Sequence, residues 1–158
     1  MDLTLSRKLH KLTARLDRAA DLRLRTGADV SYPRFLALYM VGSEGADTQR
    51  ALAERLGVSE PSVSRMVRVL ADREWLEVAP DPAGGNRNRL ELTRAGRELV
   101  ERWGGELEMR LANLLEAVGI SYGGYLSDTE RLLDALESEP AGSRIGPRSQ
   151  PGSAPGRK

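Results

Sequence analysis

Apolar residues recur at helical spacing along most of this chain and alternate in only two short runs. Leu5, Leu9, Leu12, Leu16 and Ala19 or Ala20 share one face of a helix predicted from Leu3 to about Thr26. Thr26-Gly27-Ala28-Asp29 is expected to break it. Ser31 as cap and Pro33 in the first turn open a second helix. There Phe35, Leu36, Leu38, Tyr39 and Val41 are apolar on more than one side, which predicts a central helix packed between layers. Tyr32 and Tyr39 pack there or line a ligand cavity. Gly42-Ser43-Glu44-Gly45 reads as a loop. Leu52, Ala53 and Leu56 then mark a short helix that Gly57 stops, with Val58 plugging the turn. Ser59 is the natural cap of the next helix, with Pro61 in its first turn. Val63, Val67 and Leu70 form that helix's buried stripe, with Met66 beside them.

The two alternating runs come next. Trp75-Leu76-Glu77-Val78-Ala79 and Arg87-Asn88-Arg89-Leu90-Glu91-Leu92 suit strands, and Pro80 to Asn86 is turn chemistry throughout. Thr93 can cap a long helix carrying Leu99, Val100, Trp103, Leu107, Leu111, Leu114, Leu115 and Val118. Gly104-Gly105 interrupts it, read as a bend or a close helix approach. Gly119 to Tyr125 is loop-like. Ser127-Asp128-Thr129-Glu130 has the form of a capping box, predicting a last helix with Leu132, Leu133 and Leu136. The expected fold is therefore mainly α with one small β-hairpin.

Two short helices joined through a glycine form a helix-turn-helix unit, and the hairpin behind the second helix forms a wing. The outward residues of that second helix are Ser62, Ser64, Arg65 and Arg68. Small polar groups let a helix N-terminus enter a major groove, and arginines take guanine edges or clamp phosphates. For this helix alone, an ordinary solvated face is the alternative. The arginine-bearing hairpin beside it favours the duplex, because a basic wing can follow the backbone or a minor groove.

The string Thr-Gln-x-x-Leu-Ala-x-x-Leu-Gly-Val-Ser-x-x-Ser-Val-Ser-Arg from Thr48, followed by a Gly/Asp/Arg wing and Leu-Thr-x-x-Gly, resembles the MarR family of winged-helix transcription regulators. The motifs run from about Thr48 to Gly96. The resemblance implies a homodimer that binds double-stranded DNA at a pseudo-palindromic operator, often released by a small organic effector. It implies a division into an N-terminal dimerisation helix (1–30), a winged helix-turn-helix (31–96) and C-terminal dimerisation helices (97–138). Base edges would fall to Ser62, Ser64 and Arg65. Phosphates would fall to Arg68, Thr48, Gln49 and Ser59, with Pro61 alongside at the helix start. Many members carry Asp-x-Arg or Asp-Arg-Arg at the wing tip. Here Gly84, Gly85 and Asn86 stand in those places, so the wing contact passes to Arg87, with Arg89 the lesser candidate.

Composition changes this picture in a few places. The 158 residues suit one domain, or a small reader with a helical extension. A formal net charge of +1 gives no global nucleic-acid signature, so a basic footprint must be local. The predicted first helix is basic on its polar face (Arg7, Lys8, Lys11, Arg15, Arg18, Arg23, Arg25), whereas acids exceed bases from Trp103 to Glu137. That acidic end can face the basic helix within a subunit or across a dimer, far from DNA. No Cys and one His, His10, leave no disulfide, thiol switch or usual zinc site. They also leave little scope for acid–base catalysis, and no cofactor motif is present. No apolar run reaches the roughly 18 residues of a membrane span, and no signal-peptide core is present, so a cytoplasmic protein is expected. Residues 139–158 read as a disordered tail whose Arg144, Arg148, Arg157 and Lys158 add at most non-specific phosphate attraction. The rival from another class is a winged-helix protein–protein adaptor that binds no DNA; an enzyme is the third.

Overall fold

The computed structural model describes residues 4–80 and 88–138. Among them are helices α1 (Thr4–Ala28), α2 (Tyr32–Ser43), α3 (Gln49–Leu56), α4 (Glu60–Asp72), α5 (Arg94–Ala117) and α6 (Tyr122–Ser138). Strands β1 (Leu76–Pro80) and β2 (Asn88–Leu92) pair antiparallel. The arrangement is mainly helical with one hairpin, as the periodicities predicted. The predicted tail and the wing tip that carries Arg87 lie outside the described residues.

The chain divides into two compact units, Met1–Leu111 and Ala112–Lys158. In the first, α2 is the central helix: Phe35, Ala37 and Leu38 are buried, and its neighbours include α1, α3 and β2. Leu52 and Ala53 of α3 and Val63, Val67 and Leu70 of α4 fill the same core from the other side. The register Leu76↔Leu92 and Val78↔Leu90 puts these four side chains on one sheet face. Leu76, Leu90 and Leu92 are buried there, so the wing's root belongs to the core. Leu90 also donates its N–H to the Asp47 carbonyl at 2.7 Å, tying β2 to the start of α3.

Three predicted boundaries are corrected. First, Gly27 does not break α1, which runs to Ala28. A Cβ at Gly27 would collide with the Trp103 indole, so this glycine permits a close approach of α5. The helix ends instead at Asp29, in the left-handed region at φ 51. Arg73 holds that turn, donating to the Asp29 carbonyl at 3.2 Å and pairing with its carboxylate at 2.8 Å. Second, Gly42-Ser43 is the last turn of α2, not a loop. Third, Ser127-Glu130 lies inside α6 and caps nothing. The cap is Ser121, whose Oγ accepts the Gly124 N–H at 3.3 Å. Gly119, at φ 73, turns the chain so early that α6 has begun by Tyr122. α5 continues through Gly104-Gly105, where a Cβ at Gly104 would stand 3.9 Å from the Phe35 ring.

Two carboxylates join the elements around α1. Asp21 accepts from Arg25 Nε at 2.6 Å and from the Tyr32 N–H at 2.8 Å, fixing the start of α2. Arg25 first, then Tyr32, hold its carboxyl below the ordinary range. Glu106 is lowered chiefly by Arg23, with Arg110 adding to it. A carboxyl whose folded-state pKa lies below its unfolded value stabilises the fold above the unfolded pKa and ceases to do so as pH falls through the folded one. Stability measured by urea unfolding should therefore decline below pH about 4, and less steeply in an Asp21→Asn, Glu106→Gln variant. An unchanged acid limb in that variant would show these pairs to be inert.

Candidate nucleic-acid interface

Thr48 has extended backbone, and its hydroxyl accepts the Ala51 N–H at 3.1 Å, so it caps α3. Gly57 then takes φ 64 and ψ 31, where a side chain would be strained. The Val58 N–H returns to the Ala53 carbonyl at 3.1 Å. Val58 itself is exposed and does not plug the turn. Ser59 occupies the cap position of α4 by its backbone angles, but its hydroxyl makes no capping bond. It lies 3.0 Å from Ser62 Oγ, and Arg65 Nη2 donates to that same Oγ at 3.2 Å. The positive end of α4 thus keeps leading N–H groups without a side-chain cap, beside a row of two hydroxyls and a guanidinium.

At 100° per residue, with Val63, Val67 and Leu70 inward, Ser62 and Arg65 lie on one flank of α4. Ser64 and Arg68 lie on the other. Arg65 and Arg68 are exposed and have no ion pair among the described residues, unlike Arg50, which pairs with Glu54 at 3.1 Å, and Arg55, which pairs with Glu44 at 2.8 Å. The outer face of α4 therefore offers uncompensated positive charge, bounded at the helix ends by Glu60 and Asp72. Gln49 and Ser64 are half-buried and Pro61 is exposed. Arg89 sits beside the α3 start, but its guanidinium faces Asp47 at 3.4 Å and Glu91 at 3.6 Å. Its charge is partly spent within the chain. Asp47 and Arg34 escaped sequence reading. Asp47 anchors the wing and Arg34 borders α4 across a cleft. No spacing signals either one, because their partners lie dozens of positions away.

Behind this surface, Thr93 ties the wing to α5. Its hydroxyl donates to the Glu74 carbonyl at 2.6 Å and accepts the Gly96 N–H at 3.0 Å. Arg97 donates to the Leu92 carbonyl at 2.6 Å, and Arg73 stacks 5.3 Å from the centre of the Trp75 ring. Among the described residues no cluster of three or more His, Asp or Glu could hold a metal ion. No described helix is long and apolar enough to cross a membrane.

Known proteins share this arrangement. Residues 28–85 match the MarR family, a span that holds α2 to β1 and the whole helix-turn-helix. An HTH-type transcriptional regulator of Mycobacterium tuberculosis is 32% identical over 139 residues, covering 87% of this chain and 96% of its own length. An uncharacterised HTH-type regulator of Mycobacterium leprae is 36% identical over 84 residues, covering 52% of this chain and 59% of its own length. Among solved structures, Staphylococcus aureus MepR in a DNA complex superposes with a TM-score of 0.68 at 22% identity, covering 86% of this chain and 96% of that one. BldR of Sulfolobus solfataricus gives 0.71 at 19% identity, covering 84% and 94%. The structural neighbours share the winged-helix fold, and the mycobacterial relative matches nearly end to end. The chain thus belongs to the MarR family of transcription regulators rather than to a family of enzymes.

Proposed function

We propose that this chain is a cytoplasmic, sequence-specific DNA-binding repressor that acts as a homodimer on a pseudo-palindromic operator. The observation that carries it is the outer face of α4, where Ser59, Ser62 and Arg65 are linked in a row and Arg65 and Arg68 have no ion pair among the described residues. Ser62, Ser64 and Arg65 read base edges. Arg68, Thr48, Gln49 and Ser59 hold phosphates. Arg87 serves the wing, and Arg89 follows it once Asp47 and Glu91 release it. MepR, which shares the fold, is known in complex with DNA, and this supports DNA binding as the function.

Exposed leucines support the homodimer. Leu5 of α1 is 70% exposed, and in α6 Leu132 and Leu136 are 64% and 66% exposed, with Leu9, Leu12 and Leu133 also open. Apolar rows of this length call for a partner surface. A two-fold pair would set the recognition helices about 34 Å apart, one helical turn of DNA. Release by a small organic effector completes the family plan.

Footprinting across DNA upstream of the chain's own gene would locate the operator. On that duplex, Arg65→Ala should weaken binding roughly tenfold to a hundredfold and relax specificity at one position. Anisotropy titration across salt concentrations reads both effects. Parental affinity in that variant, or parental binding indifferent to salt, would overturn the assignment.

A further inference from the structure

Beside α4 a cleft of about 520 Å³ opens toward the start of α2. Arg25 of α1, Arg34 of α2 and Arg65 of α4 line it, together with Ser31 and Ser62. Three arginines from three helices thus border one hollow, and an anion seated there would be attracted by their summed charge. Only Arg25 is neutralised in place, by Asp21 at 2.6 Å. The charge of Asp21 is already matched by Arg25, and its other oxygen accepts the Tyr32 N–H at 2.8 Å. Among the described residues neither Arg34 nor Arg65 has an ion pair, and Arg65 donates to the Ser62 hydroxyl. Pro33, Met66 and Val69 give the cleft an apolar wall.

The dimensions of a duplex say which anion comes here. A major groove is about 12 Å wide, and a helix with its side chains is about 10–12 Å across. A helix inside the groove therefore fills it, and phosphates of the two strands must pass along its two flanks. The cleft runs along the Ser62–Met66–Val69 flank of α4, with Arg65 on its rim. An apolar wall suits the sugar between phosphates. We propose that this cleft seats a backbone phosphodiester of the bound duplex, with Arg34 as its principal cation and Arg65 shared between that phosphate and the groove. This rests on the DNA-binding function proposed above and extends the footprint to α2, outside the helix-turn-helix and the wing.

The test uses the full chain with its operator and an unrelated duplex of equal length. Arg34→Ala should weaken both by the same factor and flatten the slope of log affinity against log salt by about one. Between 50 and 200 mM salt, the loss of affinity should then be roughly threefold to fourfold smaller than the parent's. Arg34→Lys should keep the slope. Ethylating individual operator phosphates should reveal one whose modification weakens the parent and leaves Arg34→Ala unaffected. Arg34→Gln, measured the same way, covers the case of an alanine variant that does not fold. A parent without salt-dependent DNA binding would remove the proposed function itself. A parent that binds steeply, with Arg34→Ala and Arg34→Gln at the parental slope, would overturn this inference alone. Inorganic phosphate, titrated at constant ionic strength, separates a free anion from the backbone. If it displaces the operator through Arg34 while the salt slopes of parent and variant agree, the occupant is the free anion and the proposal is wrong.

Discussion

Replacing Gly96 with alanine is expected to cost about 3 kcal/mol and lower the unfolding temperature by roughly 6–12 °C. Gly96 lies in the first turn of α5, and a Cβ there would run into the Trp75 carbonyl oxygen, with the carbonyl carbon 3.0 Å away. Backbone cannot rotate aside as a side-chain tip can. This carbonyl is further pinned because it accepts the Thr93 N–H at 3.2 Å. Relief requires α5 to lift from the root of β1, which would also strain the Thr93 bonds to Glu74 and Gly96. Alanine's better helix propensity, about 1 kcal/mol, offsets only part of this. Thermal unfolding followed by circular dichroism would measure the shift. A variant at or above the parental midpoint would mean that the α5–β1 junction is looser than the structure has it.

The second large effect is expected at Gly27. Its missing Cβ leaves room for the buried Trp103 indole, three of whose ring atoms lie within 3.0 Å of where that Cβ would stand. Gly27→Ala should destabilise by about 2 kcal/mol, because a buried indole has nowhere to swing. The same change in a Trp103→Phe background should cost much less, since the smaller ring vacates the contested space. Residues in contact couple by about 0.5–3 kcal/mol in such cycles, whereas independent sites add. Additive losses would show that Gly27 and Trp103 do not contend for the same volume.

Both glycines show how sequence and structure part company. Gly57 is legible from the residues alone. It follows Leu52, Ala53 and Leu56, and its positive φ is a local demand of the turn. Gly27 and Gly96 answer to Trp103 and Trp75, which lie 76 and 21 positions away. Nothing in their own neighbourhood distinguishes a glycine that ends a helix from one that admits a ring or a carbonyl. The capping-box reading of Ser127-Glu130 failed for a related reason. The pattern is local, but whether a helix has already begun depends on Gly119 and Ser121 upstream.

The candidate site divides along the same line. Ser59, Ser62, Arg65 and Arg68 could be read from the buried stripe of α4, since choosing the inward face fixes the outward one. Their linkage through hydroxyls, and the lack of an ion pair at either arginine among the described residues, could not. Asp47 facing Arg89, and Arg34 facing α4, join segments separated by 42 and about 30 positions.

What the sequence alone determined is the helix-turn-helix, its glycine turn, the inward stripes and the hairpin, because backbone propensity and periodicity act over a few residues. Only the tertiary structure decided which cations are neutralised, which glycines are contact points and where the third arginine beside α4 comes from. Charge pairing and close packing depend on distance in space, and chain separation carries no record of it.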